Sequence, residues 1–156
     1  MINMSKFATQ TTVSSERSRA EIESILRRYG ATSFAYVSEP ERAIIAFQAN
    51  ARRVKFTLPM PDPASRAFTH TQGRHSPRSA EQAHQAWEQA CRQRWRALVL
   101  CVKAKLEAVE SGITTFESEF MAHIMLPDGR TVGEHATPMI ERAYATGSTP
   151  PMLGNF

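Results

Sequence analysis

Between residues 80 and 111 the chain carries neither glycine nor proline, and that interval limits its fold more than any other feature. Trp87, Cys91, Trp95, Leu98, Val102, Leu106 and Val109 recur there at steps of four, four, three, four, four and three. Such spacing lines up apolar groups along one side of a helix. About 30 residues at 1.5 Å each make a helix about 45 Å long. It cannot bury that stripe alone, so the rest of the chain must supply a matching apolar surface. Ser79 stands where a cap belongs, and Gly112 where such a helix ends.

The N-terminal third provides that surface. Ser18 followed by Glu21 has capping-box spacing, Ile22, Ile25, Leu26 and Tyr29 follow at helical steps, and Gly30 suits a left-handed end. The pattern predicts a helix over residues 19–29. Residues 32–37 and 42–48 are β-rich and flank Glu39-Pro40-Glu41, a turn. Residues 52–58 alternate, with Val54, Phe56 and Leu58 on one side and Arg53, Lys55 and Thr57 on the other. These runs read as a three-stranded antiparallel meander, and residues 9–13 read as a further short strand beside it. The fold class is therefore α+β: a small antiparallel sheet with one N-terminal helix, then a long helix and two shorter ones.

Pro59, Pro61 and Pro63 end the sheet. Residues 61–79 lack periodicity and read as a long, mobile, basic loop between an α/β lobe (1–60) and a helical lobe (80–156), the two folding as one domain. Thr114 or Thr115 opens a short helix carrying Phe116, Phe120 and Ile124, and residues 120–126 fit helix or strand equally. Pro127-Asp128-Gly129 is a tight turn across which residues 130–132 can pair back. Thr137-Pro138 reads as cap and first position of a last helix ending before Gly147, with a loose tail over residues 148–156.

Charge is unevenly spread. Residues 52–105 hold 11 Lys and Arg against 3 acids, a net of +8, while the remainder nets −4. A concentrated basic field favours a polyanionic partner. Arg92, Arg96 and Lys103 fall on one side of the long helix, continued by Gln85 and Gln89. With Arg53 and Lys55 on the sheet and Arg74 and Arg78 in the loop, they are the candidate phosphate contacts. His70 and His75 lie in the same loop. Phe34, Tyr36 or Phe47 would serve as stacking platforms if exposed. Lys105, Glu119 and His123 sit on otherwise apolar helix faces and would form an acid/base cluster if they met; a snorkelling lysine and a surface Glu–His pair is the plainer reading. Gly-rich phosphate loops, nucleophile elbows, HExxH and paired-carboxylate spacings are absent, and nothing calls for a cofactor or metal. Cys91 and Cys101, about 15 Å apart along one helix, are out of disulfide reach and read as small buried groups in a reducing cytoplasm. Residues 1–14 have one Lys and no apolar run, and runs such as 43–47 and 97–102 are too short for a bilayer, so neither secretion nor a membrane is expected.

Three stretches carry a resemblance: Ser18-Arg19-Ala20-Glu21-Ile22-Glu23 leading to Arg28-Tyr29-Gly30-Ala31, Arg92 to Leu98 running into Lys103 to Ile113, and Leu126 to Val132. Over most of its length the chain resembles a group of small proteins encoded by tailed phages and prophages. The resemblance carries over no activity and no site residue. It implies the setting of a phage early region, where DNA handling, regulation and counter-defence are common roles. The expectation is a non-enzymatic accessory protein that binds single-stranded or structured DNA. The alternative is a module that binds a host or phage protein, or a second copy of itself, through the long amphipathic helix.

Overall fold

A computed structural model describes residue 8 and residues 10–149. The order is α1 (Ser15–Arg28), β1 (Thr32–Ser38), β2 (Arg42–Ala49), β3 (Arg52–Pro59), α2 (Arg66–Thr69), α3 (Ala80–Glu110), α4 (Phe116–Phe120) with one 3₁₀ turn (Met121–His123), and α5 (Val132–Thr146). The α+β arrangement is the expected one: one antiparallel sheet in the order β1-β2-β3, one helix before it and a long helix with shorter ones after it.

α1 starts four residues earlier than its sequence suggests. Ser14 is the cap, its hydroxyl accepting from the Arg17 N–H at 3.1 Å. Ser18 lies inside the helix, fully buried, its hydroxyl without a hydrogen-bond partner among the described residues. The capping-box reading failed because Glu21 is engaged elsewhere: its carboxylate takes two cations from α3 instead of reaching back to a backbone N–H. At the other end the expectation holds. Gly30 has φ +85°, Gly30 N–H donates to Arg27 O and Ala31 N–H to Leu26 O, the paired bonds of a Schellman stop.

The sheet registers Tyr36 with Ile45, Ile45 with Phe56, and Phe47 with Val54. Its inner face buries Ala43, Ile45, Phe47 and Ala49 of β2 with Val54 and Phe56 of β3. Onto this face α3 lays Trp95, Leu98, Val99, Val102 and Leu106, while Ile22, Ile25 and Leu26 of α1 and Phe116 and Phe120 of α4 complete one cluster. Phe47 stacks on Phe56 (6.3 Å between centroids), and Phe56 meets Phe120 edge-on (6.2 Å). The segments expected as two lobes thus share one core. The further strand expected at 9–13 does not form over residues 10–13, and Thr9 lies outside the described residues. That segment is instead tied to α3 by Gln89, whose amide donates to Thr11 O.

Residues 61–79 are folded rather than a mobile loop. Ser65 caps α2, Arg78 N–H donates to Thr69 O, and Thr71 N–H donates to Ser76 O. The Trp87 indole donates to Pro61 O at 2.7 Å, docking the segment on α3. Side chain to carbonyl bonds hold it where apolar periodicity is lacking.

The C-terminal part also departs from expectation. Ile124 and Met125 leave the 3₁₀ turn extended and touch β3, Ile124 bridging Val54 and Met125 N–H donating to Arg53 O. The turn at 127–129 does close back, Met125 bridging Thr131. The last helix begins at Val132, not Pro138. Thr131 and Glu134 form a reciprocal capping box that satisfies two N–H groups and starts the helix there, with Pro138 in its interior. Residues 150–156 of the expected tail lie outside the described residues. Cys91 is buried as expected, but Cys101 is exposed.

Two substitutions test these joints. A Cβ on Gly133 would stand 2.9 Å from the Ala122 carbonyl oxygen, a backbone atom that cannot swing away. Gly133→Ala is expected to cost about 1–3 kcal/mol in urea unfolding. The β2–β3 turn holds Asn50 at φ 48° and Ala51 at φ 57°. Ala51→Gly is expected to stabilise by about 1 kcal/mol, read as a raised Tm, by relieving the left-handed alanine.

Candidate nucleic-acid interface

The predicted phosphate contacts divide into residues turned inward and residues turned outward. Arg96 Nη1 lies 2.7 Å from Glu21 Oε2, and Lys103 Nζ lies 2.6 Å from Glu21 Oε1. The Glu21 pKa is lowered from the ordinary carboxylate value, chiefly through the Lys103 hydrogen bond and then, against the opposing effect of burial, the Arg96 contact. Two of the three cations of the expected basic stripe thus form the α1–α3 joint. Lys55 Nζ sits 3.2 Å from Glu134 Oε2 and ties β3 to the first turn of α5. Arg78 donates to the carbonyls of Ala67 and Phe68. Arg53 and Arg74 are exposed, and Arg92 is half-buried. Arg92 is steadied by a 3.0 Å bond from Nε to Gln89 Oε1 and, among the described residues, forms no ion pair.

Arg92 borders a cleft of ≈ 480 Å³ enclosed by the N-terminus of α1, the β1–β2 hairpin and α3. Ser14, Tyr36, Trp87 and Trp95 line it together with Glu16, Glu39 and Glu88. Of the three aromatics expected as stacking platforms, Phe47 is buried, Phe34 packs against it at 6.0 Å, and Tyr36 is 42% exposed. The Tyr36 ring lies 5.9 Å from Trp95, with the Arg19 guanidinium 4.3 Å above its centre. Trp87 belongs to this cleft rather than to the core. Its signal was already present: it lies one turn before the first buried stripe residue, Cys91, where α3 still projects past the core. The Cys91 thiol is pushed up to about 11, mainly by burial, so it remains protonated beside the cleft.

Of Lys105, Glu119 and His123, the first two meet. Lys105 Nζ is 3.2 Å from Glu119 Oε1 and 3.1 Å from the Glu119 carbonyl oxygen, and it lies 5.9 Å from the centre of the Phe120 ring. The His123 ring is 4.2 Å from that of Phe56. Burial, then the Lys105 charge, lowers the His123 pKa, with the Lys55 carbonyl acting in the opposite direction. The ≈ 480, ≈ 350 and ≈ 420 Å³ clefts of the molecule are lined by other residues. Lys105 therefore braces the end of α4, where a cation suits the exposed carbonyls. Elsewhere, His135 meets Asp128 at 2.8 Å beside the 127–129 turn. Among the described residues no group of three His, Cys, Asp or Glu is placed to hold a metal ion, and no helix is long and apolar enough to cross a membrane. No family model, no curated protein and no solved structure matches the chain.

His123 gives a pH prediction. Its folded pKa lies below the ordinary value of about 6.5, so the unfolded chain binds the proton more readily. Its contribution is complete above pH 6.5 and fades as pH falls through the folded pKa. The urea midpoint of the native protein is expected to drop below pH 6.5. His123→Phe, which keeps the ring against Phe56, is expected to remove that component and leave the loss at lower pH from Glu21.

Proposed function

We propose that the protein binds nucleic acid without performing chemistry on it, as an accessory protein for single-stranded or structured DNA. The observation that carries this reading is a cleft lined by Arg92 and by a Tyr36 ring that is 42% exposed and carries Arg19 over one face. A ring face can stack on any base, and a guanidinium held by Gln89 but without an ion-pair partner among the described residues can donate to a phosphate. The net +8 over residues 52–105, with Arg53 and Arg74 facing outward, supports the same partner. Glu16, Glu39 and Glu88 at the cleft wall disfavour a closely packed phosphate backbone and favour an unstacked base entering by its ring. A cytoplasmic setting in a phage early region completes the proposal, with Cys91 and Cys101 both free thiols. The alternative of a protein partner seated on the long helix loses its surface, because Trp95, Leu98, Val99 and Val102 are spent on the chain's own sheet.

Fluorescence anisotropy with labelled single- and double-stranded oligonucleotides across a salt series tests this. Affinity is expected to fall linearly on a log–log plot and to favour the single strand. Tyr36→Ala is expected to cost about 1–3 kcal/mol of binding, and Arg92→Ala about tenfold in Kd. Arg96→Ala and Lys103→Ala should lower Tm while leaving affinity nearly unchanged. No binding at low salt, or equal effects from all four variants, overturns the assignment.

A further inference from the structure

The sheet has one closed edge and one open edge. β3 is met by Ile124 and Met125, but no described residue pairs with the outer side of β1. β1 is exposed along nearly its whole length, Tyr36 and Val37 at 42% and 45%. Glu39 N–H donates to Arg42 O across the hairpin, and Val37 and Ala35 lie opposite Ile44 and Ala46. Antiparallel alternation therefore turns the backbone groups of residues 35, 37 and 39 toward β2 and those of Tyr36 and Ser38 outward. β1 contains no lysine and no proline to discourage pairing. Its one irregularity, Ser33 at φ 55°, sits at the start and leaves residues 35–38 regular.

A second observation says what covers this edge. α1 lies alongside β1 in the opposite direction: Glu16 shares the cleft with Ser38, Arg19 lies over Tyr36, and Arg27 lies 4.7 Å above the centre of Phe34. Glu16, Arg19, Glu23 and Arg27 form one stripe of α1, acid, base, acid, base. Turned end for end against itself, this stripe meets an opposite charge at every step, Glu16 with Arg27 and Arg19 with Glu23. A two-fold axis that pairs β1 antiparallel with a second β1 imposes that same reversal on α1. We propose that the chain forms a two-fold dimer through the β1 edge, giving a continuous six-stranded sheet flanked by two α1 helices with interlocking charges.

Sedimentation velocity of the full chain over a wide concentration range is the test. A species of twice the 17.5 kDa chain mass is expected. Ser38→Pro removes an outward N–H without touching the bonds to β2 and is expected to abolish association. Glu16→Arg and Arg27→Glu are each expected to raise the dimer Kd about tenfold. The double variant again opposes unlike charges end for end and is expected to restore association, a rescue that mere damage to α1 cannot produce. Circular dichroism checks that each variant folds; if Ser38→Pro does not, the charge swap carries the test unaided. A monomer at every concentration, or a dimer indifferent to Ser38→Pro and to both charge reversals, overturns the proposal. Neither result bears on nucleic-acid binding by the single chain.

Discussion

Glu21 is the residue through which the fold and the candidate surface constrain each other. One carboxylate receives Arg96 and Lys103 from α3, seven residues apart along that helix. Both cations keep partial solvent contact, so the bridge is weak by the standard of exposed ion pairs, a few tenths to about 1 kcal/mol each. Burial of Ile22, Ile25, Leu26, Val99, Val102 and Leu106 supplies the cohesion. The bridge supplies register. A two-pronged hold on one helix fixes where α1 stops sliding along α3, and with it the seats of Arg19 over Tyr36 and of Arg27 over Phe34. It also commits two of the three stripe cations to an internal partner, so structure and binding draw on the same residues.

The elements legible in the sequence were those with a local cause. The steps of three and four in α3, the alternation in β3 and the glycine after α1 each act within a few residues, and each appears in place. The misread ends show competition between local causes. Thr137-Pro138 is a sound helix start in isolation, but Thr131-Val132-Gly133-Glu134, six residues upstream, offers two satisfied N–H groups. Ser18 lost its capping role because its glutamate found stronger partners in α3. The candidate site was legible only by residue type. Helical spacing put Arg92, Arg96 and Lys103 on one side, yet which of them α1 covers depends on contacts 75 and 82 residues apart in sequence. Trp87, one turn beyond the sheet, shared the core's periodicity without its burial.

The charge asymmetry gains a second meaning in three dimensions. The acids that pair Lys55, Arg96, Lys103 and Lys105 are Glu134, Glu21 and Glu119, all outside residues 52–105. The acidic remainder of the chain folds back on its basic middle. A linear excess of +8 is thus partly an internal complementarity, and the field offered to a partner is smaller than composition alone suggests. The arginines without an ion-pair partner among the described residues include Arg53, Arg74 and Arg92, and of these Arg92 lines the cleft with Tyr36. Phosphate neutralisation by so few groups gives a shallow salt dependence, about −0.7 per phosphate on a single strand. Most of the binding energy would then have to come from ring stacking, worth about 1–3 kcal/mol per base. A surface of that kind discriminates unpaired bases from duplex more strongly than it discriminates one sequence from another, because the rings are reachable only where the strand is already open.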